Sequence, residues 1–85
     1  MAYSIFLRPA AIRDLKQLPA DARERIEAAI GALKDNPRPP GCKKLVGFEN
    51  EWRLRVGNYR VLYIIDDSTR QVTIARVAHR REAYR

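Results

Sequence analysis

The chain has 85 residues, with 17 Lys and Arg against 10 Asp and Glu and a formal charge of +7. That length makes one domain with a small core, and an apolar share of 46% excludes a disordered chain. No apolar run nears the roughly 18–20 residues of a bilayer span, and Arg8-Pro9 falls where a signal peptide needs its apolar stretch, so the expected location is the cytoplasm.

Ala2–Leu7 alternates loosely and predicts a short strand, ended by Arg8-Pro9. Pro9 suits the first turn of a helix running to Leu18, with Ile12, Leu15 and Leu18 on one stripe. Pro19 opens a second helix in which Ala22, Ile26, Ala29, Ile30 and Leu33 face one way and Arg23, Glu24, Arg25 and Glu27 the other. Asn36-Pro37 stops it, and Pro37–Gly41 forms a stiff connector. Cys42, the only cysteine, excludes an internal disulfide and reads as a half-buried residue near the start of a strand.

The period then changes to two. Trp52–Val56 and Tyr59–Ile65 read as strands joined by Gly57-Asn58, a hairpin turn of type II′ or I′. Asp66–Arg70 is a polar turn into a further strand, Gln71–Val77. The expected fold is α+β: an N-terminal strand, then a helical hairpin packed on one face of a twisted antiparallel sheet, in the order β-α-α-β-β-β.

The charge is uneven. Residues 1–41 hold 7 basic and 5 acidic side chains, whereas residues 42–85 hold 10 and 5, eight of the ten being arginine. Arginine's planar fork suits phosphate, so nucleic acid is the expected partner, with an acidic protein or a membrane surface as alternatives. Alternation puts Arg53 and Arg55 on the face away from the helices. Arg60 shares its face with Leu62 and Ile64, so that strand is apolar on both sides. The helices can cover one side only; a partner protein segment is the economical cover for the other.

With one histidine, no Gly-rich phosphate loop and no metal-ligand cluster, no cofactor or metal is expected. Arg53, Arg55 and Arg60 converge across the turn, and His79, Arg80, Arg81 and Tyr84 follow the last strand. Such a set suits metal-free cleavage of RNA, in which the 2′-hydroxyl attacks the adjacent phosphate and arginines stabilise the charge that develops. Arginine is a poor base, which leaves His79 and Tyr84 as the proton-handling candidates. An exposed strand face carrying arginine is also compatible with plain solvation, and Tyr84 with a stacking or core role.

Lys44-Leu-Val-Gly47, Trp52-Arg-Leu-Arg-Val-Gly-Asn-Tyr-Arg-Val-Leu-Tyr63 and Val77-Ala-His-Arg-Arg-Glu-Ala-Tyr84 together resemble the RelE/ParE superfamily of toxins, on the RelE side. The likeness runs nearly end to end. It implies an mRNA interferase, a toxin that cleaves mRNA in the ribosomal A site and is neutralised by a cognate RelB-like antitoxin. Its partners would then be the ribosome, mRNA and the antitoxin, with DNA reached only through the antitoxin complex and no membrane. By position, Arg53, Arg55, Arg60, Arg80 and Tyr84 match the family's site. Lys43, Lys44 and Arg81 are expected to bind RNA beside them, and His79 stands where other members often have a basic residue. Arg53 and Arg55 replace lysines of the best-known members. A ParE-like gyrase inhibitor, or a catalytically weak homologue acting through antitoxin binding and operon autoregulation, are the alternative readings.

Overall fold

A computed structural model describes residues 2–47 and 50–79. Strand β1 (Ser4–Leu7) leads into helices α1 (Pro9–Lys16) and α2 (Ala20–Ala32), followed by β2 (Cys42–Lys44), β3 (Glu51–Val56), β4 (Tyr59–Asp66) and β5 (Gln71–His79). The five strands form one sheet in the order β1-β5-β4-β3-β2. The α+β class and the helical hairpin are as the sequence predicts, with two differences. The short strand β2 forms at the edge, and β1 lies parallel to β5, so the sheet is mixed. Parallel neighbours need a long crossover; here every element between β1 and β5 supplies it.

One core lies between the helices and one sheet face. Ala11 and Leu15 of α1, Ile26 and Ile30 of α2 and Leu33 behind it meet Leu54, Val61, Tyr63, Ile65, Val72, Ile74 and Val77. The α1 stripe is turned by one residue from the expected one. Ala11 is fully buried and Ile12 is 41% exposed, because Ala11 and Leu15, four residues apart, share the helix face that meets the sheet.

Two polar ties set how the layers sit. Tyr63 is buried under the connector and donates a 2.8 Å hydrogen bond to the Pro37 carbonyl, and burial pushes its phenol pKa upward. Arg38 forks onto Asp67, which also accepts from the Tyr3 hydroxyl at 2.6 Å; these bonds hold the Asp67 carboxyl below its usual range.

A further tie is at a β-bulge. Leu62 registers with Arg76 but Tyr63 with Ile74, which leaves Ala75 as the extra residue of β5. Asp14 of α1 fills the kink: one carboxylate oxygen accepts from Arg76 Nε (2.8 Å) and the Val77 N–H (2.9 Å), the other from Arg76 Nη2 (3.2 Å). Burial pushes the Asp14 pKa up, but these donors outweigh it and hold it below 3.8. A lowered folded-state pKa means that the clamp contributes fully well above pH 3.8 and is lost as acid protonates the folded carboxylate. Asp14→Ala should cost about 1–3 kcal/mol in urea unfolding at neutral pH. The gap to the wild type should close as the pH falls below the ordinary carboxylate range; a gap unchanged in acid would contradict the clamp.

Candidate nucleic-acid interface

The alternation of β3 and β4 builds the surface opposite the helices. Trp52, Leu54 and Val56 pack on the core side, which turns Glu51, Arg53 and Arg55 to the open face. In β4, Val61, Tyr63 and Ile65 are buried, which leaves Arg60, Leu62 and Ile64 on the open face. The register then decides which cations meet. Arg55 is directly opposite Arg60, and Arg53 is directly opposite Lys43 of β2. Directly opposed side chains of an antiparallel pair start about 4.5–5.5 Å apart at Cβ, where like charges destabilise the sheet. Four cations thus form two opposed pairs on adjacent rows.

The turn between β3 and β4 keeps the Arg55–Arg60 pair tight. Gly57 has φ +58° and Asn58 an ordinary negative φ, the type II′ pattern. A side chain on Gly57 would meet the Arg25 guanidinium of α2, 3.0 Å from the position of a Cβ. The turn is therefore closed from below as well as fixed in conformation. Beside the cations lies an apolar row, Ile64–Thr73–Phe6, carried across β4, β5 and β1, with Phe6 49% exposed.

Comparison with known proteins bears on what such a face belongs to. Residues 5–84 match the family described as the ParE toxin of type II toxin–antitoxin system, parDE. The chain belongs to the RelE/ParE family of toxins. Toxin RelE of Mycobacterium tuberculosis is 36% identical over 98% of this chain and 87% of its own length. The putative toxin RelE1 of Methanocaldococcus jannaschii is 30% identical over 100% and 98%. The RelE–RelB complex of Pyrococcus horikoshii superposes with a TM-score of 0.85 at 25% identity, covering 98% of this chain and 100% of that one.

Within this RelE/ParE fold the sequence-predicted residues separate into groups. Arg53, Arg55, Arg60 and Lys43 come together on the open face. Lys44 does not: it is in phase with Cys42 and opposite Trp52, toward the helix side. His79 is not brought to the arginines either. It registers with Tyr59 on the helix side, the rings 5.5 Å apart and edge to face, and lines a hollow of about 290 Å³ with Asp14, Gln17 and Leu18. Arg80, Arg81 and Tyr84 lie outside the described residues. Trp52 is a core element, capped by Arg38 at 5.0 Å. One residue was overlooked. Glu51 shares the phase of Arg53 and Arg55, and the same two-residue step that placed them would have placed it.

Proposed function

We infer that the chain is a ribosome-dependent endoribonuclease toxin that cuts mRNA in the ribosomal A site through attack of the 2′-hydroxyl on the scissile phosphate. The observation that carries the reading is the pair of opposed cation pairs, Arg55 with Arg60 and Lys43 with Arg53. Cations set opposite one another on adjacent strands present several donors to one stretch of polyanion, and arginine forks match phosphate oxygens two at a time. Arg60 and Arg55 hold the scissile phosphate and stabilise the charge that grows on it. Arg53 and Lys43 position the flanking backbone. Arg80 joins Arg60 at the phosphate, and Tyr84 stacks on a base or handles a proton. Use of the 2′-hydroxyl restricts the reaction to RNA. The site of action is the cytoplasm.

A cognate RelB-like antitoxin restrains the toxin. The archaeal relative was solved as a RelE–RelB complex, and the open face here offers an apolar row (Phe6, Ile64) beside cations, suited to a segment carrying both apolar and acidic side chains. The parDE description of the matching family keeps a second reading in view, inhibition of DNA gyrase.

Primer extension on a message under translation, with and without ribosomes, tests the leading reading. The expected result is a set of cuts phased with codons that appears only with ribosomes. An intact message together with gyrase-dependent DNA breaks would replace it with the second reading.

A further inference from the structure

Leu62 is a large apolar side chain set among charges, and no helix or strand among the described residues covers it. It is half-buried on the open face, yet it is not one of the partly buried apolar residues that pack on the core. Arg53 is directly opposite it on β3, and Arg55 is diagonal to it, one pair further along the ladder. Arg60 stands two residues back on β4, ~7 Å along the same face. Opposed Cβ atoms lie about 4.5–5.5 Å apart and diagonal neighbours about 7–8 Å. Three arginines therefore border one leucine, and Lys43 stands next to Arg53 on β2.

The β5 side leaves the leucine open. Leu62 registers there with Arg76, whose guanidinium is bound to Asp14 of α1 at 2.8 Å, and Arg60 registers with Ala78, whose methyl is too short to reach over it. Arg53 and Arg60 are half-buried with Nε shielded from solvent, as for arginines whose stems lie on apolar surface while their forks extend beyond it. Among the described residues, the carboxylates on this face are Glu51, opposite Ile64 and diagonal to Leu62, and Asp66, two residues beyond Ile64. Along β4 the face thus reads Arg60, Leu62, Ile64, Asp66, from cation through two apolar residues to anion. A phosphate is attracted to the first end and repelled from the last, so what lies over Leu62 is the uncharged part of a nucleotide.

We propose that Leu62 is the floor on which the base of a nucleotide adjoining the phosphate at Arg55 and Arg60 lies flat. This rests on the endoribonuclease reading. A base hangs from its phosphate by a single ribose, a reach that matches the two-residue step from Arg60 to Leu62. Single-stranded RNA is recognised through bases splayed out of the stack and laid on a protein surface. Every base has a flat face to offer, so the leucine fixes position without naming the base. The ribose is then tied at two points, its phosphate at the arginines and its base on Leu62.

Cleavage by wild type, Leu62→Thr and Leu62→Met is measured on ribosomes programmed with an intact codon. It is measured again with one abasic nucleotide placed on the 5′ or the 3′ side of the scissile bond. On the intact codon, Leu62→Thr should lower kcat/KM about tenfold, at the lower end of what a missing apolar contact costs. Leu62→Met, which keeps the volume, should stay within about threefold of wild type. On one of the two abasic messages the difference between Leu62→Thr and wild type should vanish, because the contact has already lost its partner. A purely structural leucine would lower cleavage of intact and abasic messages by the same factor, so the comparison holds even where Leu62→Thr is less stable. A deficit undiminished on both abasic messages, or equal cleavage of the intact codon by wild type and Leu62→Thr, would overturn the proposal. A wild type that leaves the intact message uncut sinks the endoribonuclease reading itself; an active wild type matched by Leu62→Thr sinks only this one.

Discussion

On the endoribonuclease reading, Arg60→Ala is expected to slow cleavage sharply and to leave the fold intact. The two halves of that result have one cause. Arg60 faces Arg55 across the β3–β4 ladder, and its Nε is shielded from solvent. Like charges directly opposite each other weaken a ladder, so removing one of them is not expected to unfold the sheet. Loss of a single preorganised donor to developing charge costs about 10²–10³ in rate. Single-turnover cleavage should therefore fall by that factor, while urea unfolding should still show a cooperative transition close to that of wild type. Arg60→Lys keeps the charge and loses the fork, and an intermediate rate is expected. Arg70→Ala, in the turn before β5, should change neither quantity. A variant at position 60 that both unfolds and stops cleaving would make the residue structural, contrary to this account.

Ile26→Ala has the opposite profile, with a large loss of stability at a residue far from any phosphate. Ile26 is 0% exposed and is the α2 side chain that meets the underside of the hairpin near Val56 and Tyr59. Its truncation leaves a cavity beneath the strands that carry Arg55 and Arg60. Buried isoleucine-to-alanine changes cost about 2–5 kcal/mol, a large share of the roughly 4–13 kcal/mol expected of a domain this size. The melting temperature should drop by about 10 °C or more. Well below that temperature, the surviving folded fraction should still cleave. A drop of only a degree or two would mean that α2 does not anchor the hairpin as the packing indicates.

These two residues also show why part of the molecule was legible in the sequence. Ile26 sits on a helical stripe and Arg60 follows a Gly-Asn turn, and both are local patterns with one geometric solution. The same period-two reading placed Arg53 and Arg55 away from the helices. Three features escaped local pattern. The parallel pairing of β1 with β5 joins the two ends of the chain, and no spacing within either strand encodes it. The bulge at Ala75 shifts the phase of β5 after Ile74, so a strict alternation carried through the strand misassigns the residues beyond it. His79, reached across that shift, faces Tyr59 rather than the arginines. Lys44 escaped for a simpler reason: a three-residue strand gives too few positions to read a phase, and the side of each lysine is set only by its partner on β3.

The central claim is that the helix-free sheet face, rather than net positive charge, cuts the message. Ribosome-dependent primer extension with two variants of equal charge change tests it. Arg55→Ala/Arg60→Ala removes two cations from the open face, and Arg13→Ala/Lys16→Ala removes two from the exposed surface of α1. The account predicts that codon-phased cuts vanish in the first variant and persist at near wild-type strength in the second. Equal loss in both, or survival of the cuts in the first, would contradict it.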